Sequence, residues 1–114
     1  MTECLFCKMV AGEIKPDVVL ETDRLLAFRD IRPQAPVHVL VIPKQHIPTL
    51  EDLPDDDPTL AADLLRAVRQ VAAAERISAT GYRTVINCRA DSGQEIYHLH
   101  LHVLGGRHLK WPPG

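Results

Sequence analysis

The sequence predicts an α+β fold, an antiparallel β-sheet of about five strands with one long α-helix packed on one face. Five stretches have strand character, at 17–21, 25–30, 37–43, 82–88 and 95–105. One long stretch repeats apolar residues at helical spacing. Several strands come first, then the helix, then a hairpin-like pair.

Residues 5–12 are apolar enough for a short helical turn, and Gly12 ends it. In "DVVLETDRLLAFRDI" two strands flank a turn at Thr22–Arg24. Pro33 and Pro36 in "RPQAP" lack N–H donors, so no ladder continues through them. "VHVLVIP" is a β-branched run of strand length that stops at Pro43. The long helix starts at Asp57 as N-cap and Pro58 as first helical residue, and Leu60, Leu64, Val68, Val71 and Ala72 form its apolar stripe. Asp55, Asp56 and Asp57 place negative charge at the positive end of the helix dipole, where solvated capping explains them better than a metal would. Gly81 follows the helix, and the polar connection "RADSGQ" joins the last two strands.

At 114 residues without repeat, low-complexity tract or linker, the chain is expected to form one domain over 1–114. A formal net charge of −2 argues against a nucleic-acid partner or a polybasic membrane anchor. No apolar run reaches the ~20 residues of a spanning helix, and "MTECLFCKMV" lacks the cationic region and long apolar stretch of a signal peptide. The expectation is a cytoplasmic protein. Three cysteines make a poor disulfide framework. Cys4 and Cys7 form C-x-x-C, which in a reducing compartment indicates metal or redox chemistry, and Cys88 is expected to be structural.

The most informative stretch is "YHLHLHV", residues 97–103. Side chains alternate across a strand, so His98, His100 and His102 share one face about 6.5–7 Å apart. Tyr97, Leu99, Leu101 and Val103 share the other, which is apolar enough to pack on the helix. A lone strand histidine is usually structural; three in strict alternation are not easily so. Two chemistries could use them. His-x-His can supply two ligands to a zinc that activates water. Alternatively, one imidazole attacks as a nucleophile while a neighbour stabilises charge or handles protons. Spacing leaves both open.

"HLHLHVLGG" resembles the histidine triad motif, in which three histidines are separated by hydrophobic residues. "LFCKMVAGEI", "AFRDIRPQAPVHVLVIPKQHI", "GYRTVINC" and "HVLGGRHLKWPPG" look like the branch called histidine triad nucleotide-binding proteins, in the expected order over nearly the whole chain. The resemblance implies a HIT-like fold and hydrolysis of purine nucleoside phosphoramidates or related nucleoside monophosphate conjugates. His100 would attack phosphorus to give a nucleotidyl-histidine, His102 would contact the phosphate or leaving group, and His38 would support them. Phe6, Met9, Phe28 and Ile31 match positions that enclose the base, although the residues alone read as core. Asp30 matches the ribose-binding acid and Asn87 a phosphate-contacting amide. Gly93, Gln94 and Glu95 match the loop along the phosphate, and Trp111 a C-terminal segment that reaches toward the partner's site in homodimeric relatives. Glu95 departs from the Ser or Thr of many relatives, and a carboxylate cannot donate to phosphate as a hydroxyl does. Related proteins with the cysteine pair bind a structural zinc, which implies the ligand set Cys4, Cys7, His46 and His98. The remaining alternatives are a dinucleoside polyphosphate hydrolase, a nucleotide-binding scaffold with vestigial catalysis, and a zinc-dependent hydrolase using all three triad histidines.

Overall fold

The computed structural model describes residues 3–114. A short helix α1 (Leu5–Val10) leads into three strands, β1 (Val18–Glu21), β2 (Leu25–Arg29) and β3 (Val37–Pro43). The long helix α2 (Pro58–Ala74) follows, then β4 (Tyr82–Ile86) and β5 (Leu101–Gly105). The five strands form one antiparallel sheet in the order β1-β2-β3-β5-β4. This is the α+β architecture that the sequence predicts. Single 3₁₀ turns at Leu50–Asp52 and Ala90–Ser92 lie in connections with no apolar period to announce them. Among the described residues, no helix is long and apolar enough to cross a membrane.

Both faces of the central strands are covered, and the cause is visible in β2 and β3. Leu25, Ala27, Val39 and Val41 point to α2 and pack with Leu60, Leu64, Val68 and Val71. Leu26, Phe28, Leu40 and Ile42 point the other way and pack with Phe6 of α1. Strands buried on two faces read as continuous apolar runs rather than alternating ones. The predicted stripe Leu60, Leu64, Val68, Val71 and Ala72 is the buried face of α2. Asp57 sits at its N-cap and Pro58 opens the helix, yet the Asp57 carboxylate makes no capping bond. It accepts instead from Thr59 and Arg24, which hold it below the usual carboxylate range.

The last strand differs most from expectation. The ladder starts at Leu101 rather than residue 95. Its partner β3 pairs Val41 with Leu101, and two residues later reaches Pro43, which has no N–H to donate. The Leu99 N–H therefore leaves the sheet and bonds to the Ile47 carbonyl at 2.6 Å. Leu99, Leu101 and Val103 face α2 as predicted, but Tyr97 does not join them and is exposed. The other ends shift by one or two residues; β4 stops at Ile86, short of the expected Cys88.

Leu64 is 3% exposed and Leu65 is 60% exposed. Leu64→Ala should cost about 2–5 kcal/mol, while Leu65→Ala should stay within about 0.5 kcal/mol. Urea unfolding of the two variants checks the orientation of α2.

Candidate functional site

The covered face opposite α2 holds the histidines. His102 lies in β5 opposite Leu40 of β3 and Val85 of β4. His38, from β3, brings its Nε2 to 2.9 Å from His102 Nδ1. His100 and His98 precede β5, where the chain has left the ladder. Phe6 meets the edges of both rings, with centroids 5.3 Å from His100 and 5.7 Å from His98. The three triad histidines thus share a face as predicted. That face is less open than the spacing implies, because α1 leaves His98 fully buried and His100 only 8% exposed.

Hydrogen bonds to carbonyls fix the rings. A carbonyl only accepts, so the nitrogen bonded to it carries the proton. His98 Nε2 donates to the Pro43 carbonyl at 2.8 Å, and His100 Nδ1 donates to the His98 carbonyl at 2.8 Å. In the neutral rings the lone pairs then lie on His98 Nδ1 and His100 Nε2. Among the described residues no protein hydrogen bond engages His100 Nε2. Burial, with smaller contributions from His46 and His100, pushes the His98 pKa below the usual imidazole value against the opposing pull of the Pro43 bond.

The His98 lone pair faces sulfur. Cys4 caps α1 and its Sγ accepts from the Cys7 N–H at 3.3 Å, placing both thiols on one side of the first turn. Cys4 Sγ lies 3.3 Å and Cys7 Sγ 3.6 Å from His98 Nδ1, and Cys7 Sγ lies 3.2 Å from His46 Nδ1. All four donor atoms fall within 4.8 Å of one another. Tetrahedral zinc with bonds of about 2.3 Å to sulfur and 2.0–2.1 Å to nitrogen separates S and N by about 3.6 Å. The group can hold a metal ion, and its donor set and spacing suit zinc. The bond from His98 Nε2 to Pro43 is the outer-shell contact that orients such a ligand. Burial, then the hydrogen bond and charge of Cys4, raise the Cys7 pKa, so a metal bound here must displace the proton of that thiol.

Asp30, His38 and His102 form a second close group. It is poorly suited to a metal, because the Gln34 backbone N–H donates to His38 Nδ1 at 3.0 Å. His38 Nε2 must then carry the proton of the neutral ring, leaving no lone pair toward the group's centre. That proton points to His102 Nδ1, so the His102 proton sits on Nε2. His102 Nε2 is buried without a partner among the described residues, which costs about 1–3 kcal/mol. Burial first, then the charges of His100 and His38, lower the His102 pKa to about 4. Burial also lowers that of His38, against the opposing charge of Asp30.

The remaining predicted residues divide. Asp30 follows β2, half-buried, with Oδ1 accepting from the Arg32 N–H at 2.8 Å and Oδ2 3.6 Å from His38 Nε2. Asn87 follows the Ile86–Leu101 pair at which the β4–β5 ladder ends, and its side chain has no hydrogen-bond partner among the described residues. Phe6 and Phe28 are core residues, 5.4 Å apart edge to face, with Met9 packed against them. Ile31 departs from an enclosing role: it lies in the turn after Asp30 and is 90% exposed, so it can touch a base only as a rim. A groove of about 390 Å³ opens beside α1, and Met9 is the one expected base-enclosing residue that lines it. Ile14 and Leu26 also line it, and nothing in their apolar pattern distinguishes groove from core.

In the loop after β4, Gly93 adopts φ +83°, a conformation that glycine takes without strain. The Gln94 carboxamide does not face a phosphate. It accepts from the Arg89 N–H at 2.8 Å and donates to the Pro48 and Ile96 carbonyls, holding Arg89 at φ +67°. Only the loop's backbone is left for a ligand at that position. Glu95 is exposed. Trp111 is 79% exposed and lies 5.9 Å from the Arg83 guanidinium, which also donates to the Lys110 carbonyl at 2.9 Å. The Gln34 amide and the Pro43 carbonyl are site components that sequence reasoning misses, because backbone groups carry no residue signature.

A family profile for the HIT domain matches residues 11–109. An uncharacterized HIT-like protein of Synechococcus elongatus is 51% identical over 112 residues, covering 98% of this chain and 97% of its own length. The crystal structure of a HIT family hydrolase from Legionella pneumophila superposes with a TM-score of 0.95 at 55% identity, covering 98% of this chain and all of that one. A histidine triad nucleotide-binding protein from Candida albicans is similar at 31% identity and a TM-score of 0.83, over 98% of this chain and 85% of that chain.

A lowered histidine pKa means that the unfolded chain binds protons first as pH falls. The His102 contribution to stability is therefore complete above about pH 6.5 and is lost progressively down to about pH 4. NMR titration should find His102 neutral until about pH 4. The unfolding midpoint of His102→Asn should fall less steeply over that interval than that of the parent protein.

Proposed function

This chain belongs to the HIT family, and we propose that it is a hydrolase of purine nucleoside phosphoramidates and related nucleoside monophosphate conjugates, acting through a covalent nucleotidyl-histidine intermediate. The observation that carries this reading is the His100 ring, whose Nδ1–H is bound to the His98 carbonyl at 2.8 Å. The lone pair of the neutral ring is thereby held on Nε2 for attack, without a separate base.

The chemistry takes two steps. His100 Nε2 attacks the α-phosphorus while the P–N bond breaks; the leaving nitrogen takes a proton from solvent water and departs as the neutral amine. Attack leaves the imidazole cationic, and the His98 carbonyl on Nδ1–H stabilises that charge. Water then cleaves the P–Nε2 bond, giving the nucleoside monophosphate and neutral His100, and the water's proton is released to solvent. Such transfers depend on positioning and on donors for the phosphate oxygens. His102 Nε2–H, neutral and otherwise unpartnered, supplies one donor. The Asn87 amide and the backbone of the Gly93–Glu95 loop supply others. Asp30 takes the ribose hydroxyls, Met9 and the Ile31 rim face the base, and Phe6 and Phe28 back that surface from the core. The metal group of Cys4, Cys7, His46 and His98 is structural zinc in this reading, tying α1 to the residue that holds His100. The use of all three triad histidines as ligands of one catalytic ion is disfavoured. His98 Nδ1 turns to the cysteines while His100 Nδ1 is held by a carbonyl.

The description of the Legionella relative as a hydrolase and of the Candida relative as nucleotide-binding supports the assignment. A homodimer is part of the proposal: β4 is an edge strand of the sheet, and the exposed Trp111 lies beside its Arg83. Free thiols at Cys4, Cys7 and Cys88 suit a reducing cytoplasm.

His100→Ala should lower turnover of an adenosine phosphoramidate by on the order of 10³-fold or more, with nucleotide affinity and metal content nearly unchanged. Turnover within tenfold of the parent refutes the nucleophile. Purified protein should hold one zinc per chain, absent from Cys7→Ser, and chelation should lower the thermal midpoint by on the order of 10 °C. Zinc below about a fifth of an equivalent after metal-replete expression refutes the metal site.

A further inference from the structure

We propose that Arg107 is a positioning residue: by holding the Gln34 segment it keeps the Gln34 N–H on His38, and so fixes which nitrogen of His102 presents a proton to the reacting phosphate. The proposal rests on the reading of the site given above and adds a residue distant from the reacting atoms.

A relay of single-direction bonds carries it. The Gln34 N–H can only donate, so His38 Nδ1, 3.0 Å away, must accept. The neutral His38 ring then has its proton on Nε2, and His102 Nδ1, 2.9 Å away, accepts it. The His102 proton is left on Nε2, the one buried side-chain polar atom without a partner among the described residues. With the Gln34 amide moved away, His38 is free to take the opposite tautomer. His102 would then donate from Nδ1 and turn a lone pair toward the phosphate, repelling the oxygens that it should bind.

The Gln34 backbone is not held by a strand. It lies between β2 and β3, in the stretch where Pro33 and Pro36 remove ladder donors. Arg107 secures it from just beyond the end of β5: its guanidinium donates to the Gln34 carbonyl at 2.9 Å and to the His108 carbonyl at 3.1 Å. Gly106 makes the approach possible. It has φ +89°, and a Cβ there would meet the Pro36 Cβ at 2.8 Å. Two further bonds close the turn, Arg32 N–H to Asp30 Oδ1 at 2.8 Å and Gln34 Nε2 to the Arg32 carbonyl at 3.0 Å.

The test uses the full chain labelled with ¹⁵N-histidine, with tautomers read by long-range proton–nitrogen NMR without substrate. The parent protein should show the Nε2–H form at both His38 and His102. Arg107→Ala should bring in the Nδ1–H form at both rings and lower kcat on an adenosine phosphoramidate roughly five- to tenfold, with KM within about twofold. Arg107→Lys, which can still donate to one carbonyl, should restore most of both. An Nδ1–H form at His102 in the parent protein overturns the proposal. So do unchanged tautomers in Arg107→Ala, whether or not kcat falls. Because the tautomers are read without turnover, a parent protein that leaves phosphoramidates intact refutes the proposed activity and not the relay.

Discussion

Pro43 sets the geometry on which the site depends. Lacking an N–H, it ends the ladder between β3 and β5 and releases the chain before Leu101. Its carbonyl remains an acceptor, and His98 Nε2–H binds it at 2.8 Å in full burial. The His98 carbonyl in turn takes the His100 Nδ1–H. Two rings two residues apart are thereby given opposite tautomers and different tasks. His98 offers Nδ1 to the cysteines of α1, and His100 offers Nε2 to a ligand. A strand continued through residue 98 would have spent these backbone groups on the ladder.

The site is a buried polar network, and such networks stabilise only when nearly every member is satisfied. Here the polar bonds that orient His38, His98, His100 and His102 each trace back to a group that only donates or only accepts. Pro43 and His98 carbonyls govern one branch, and the Gln34 amide governs the other. The one buried atom left over, His102 Nε2, lies where a donor to phosphate is needed. The fold thus leaves unpaired what the proposed reaction would pair. Keeping the rings neutral serves the same end, since burial lowers the His38, His98 and His102 pKa values together.

Where side chains decide the structure, the sequence is readable. The α2 stripe is legible because helical spacing and the Asp57–Pro58 start point to one element. The double burial of β2 and β3 is legible as apolar runs. The histidine face is legible from alternation alone, and the Cys4, Cys7, His46 and His98 grouping from family resemblance, since 94 residues separate its ends. Backbone-determined features are not. The start of β5 depends on a missing donor in a different strand, Tyr97 is exposed because the ladder has ended, and Gln94 turns inward to hold the Arg89 turn. Ile31 illustrates the limit of carrying roles by position: its neighbour Asp30 is drawn into the turn by Arg32, and Ile31 is left outside.

In the proposed reaction one imidazole nitrogen bonds transiently to phosphorus. The most direct measurement is rapid acid-free quenching of the protein during turnover of an adenosine phosphoramidate, followed by peptide mass spectrometry. A nucleoside monophosphate adduct is expected on the peptide containing His100, localised to that residue by fragmentation. Turnover with no adduct at any quench time, or an adduct localised to His98 or His102, would contradict it.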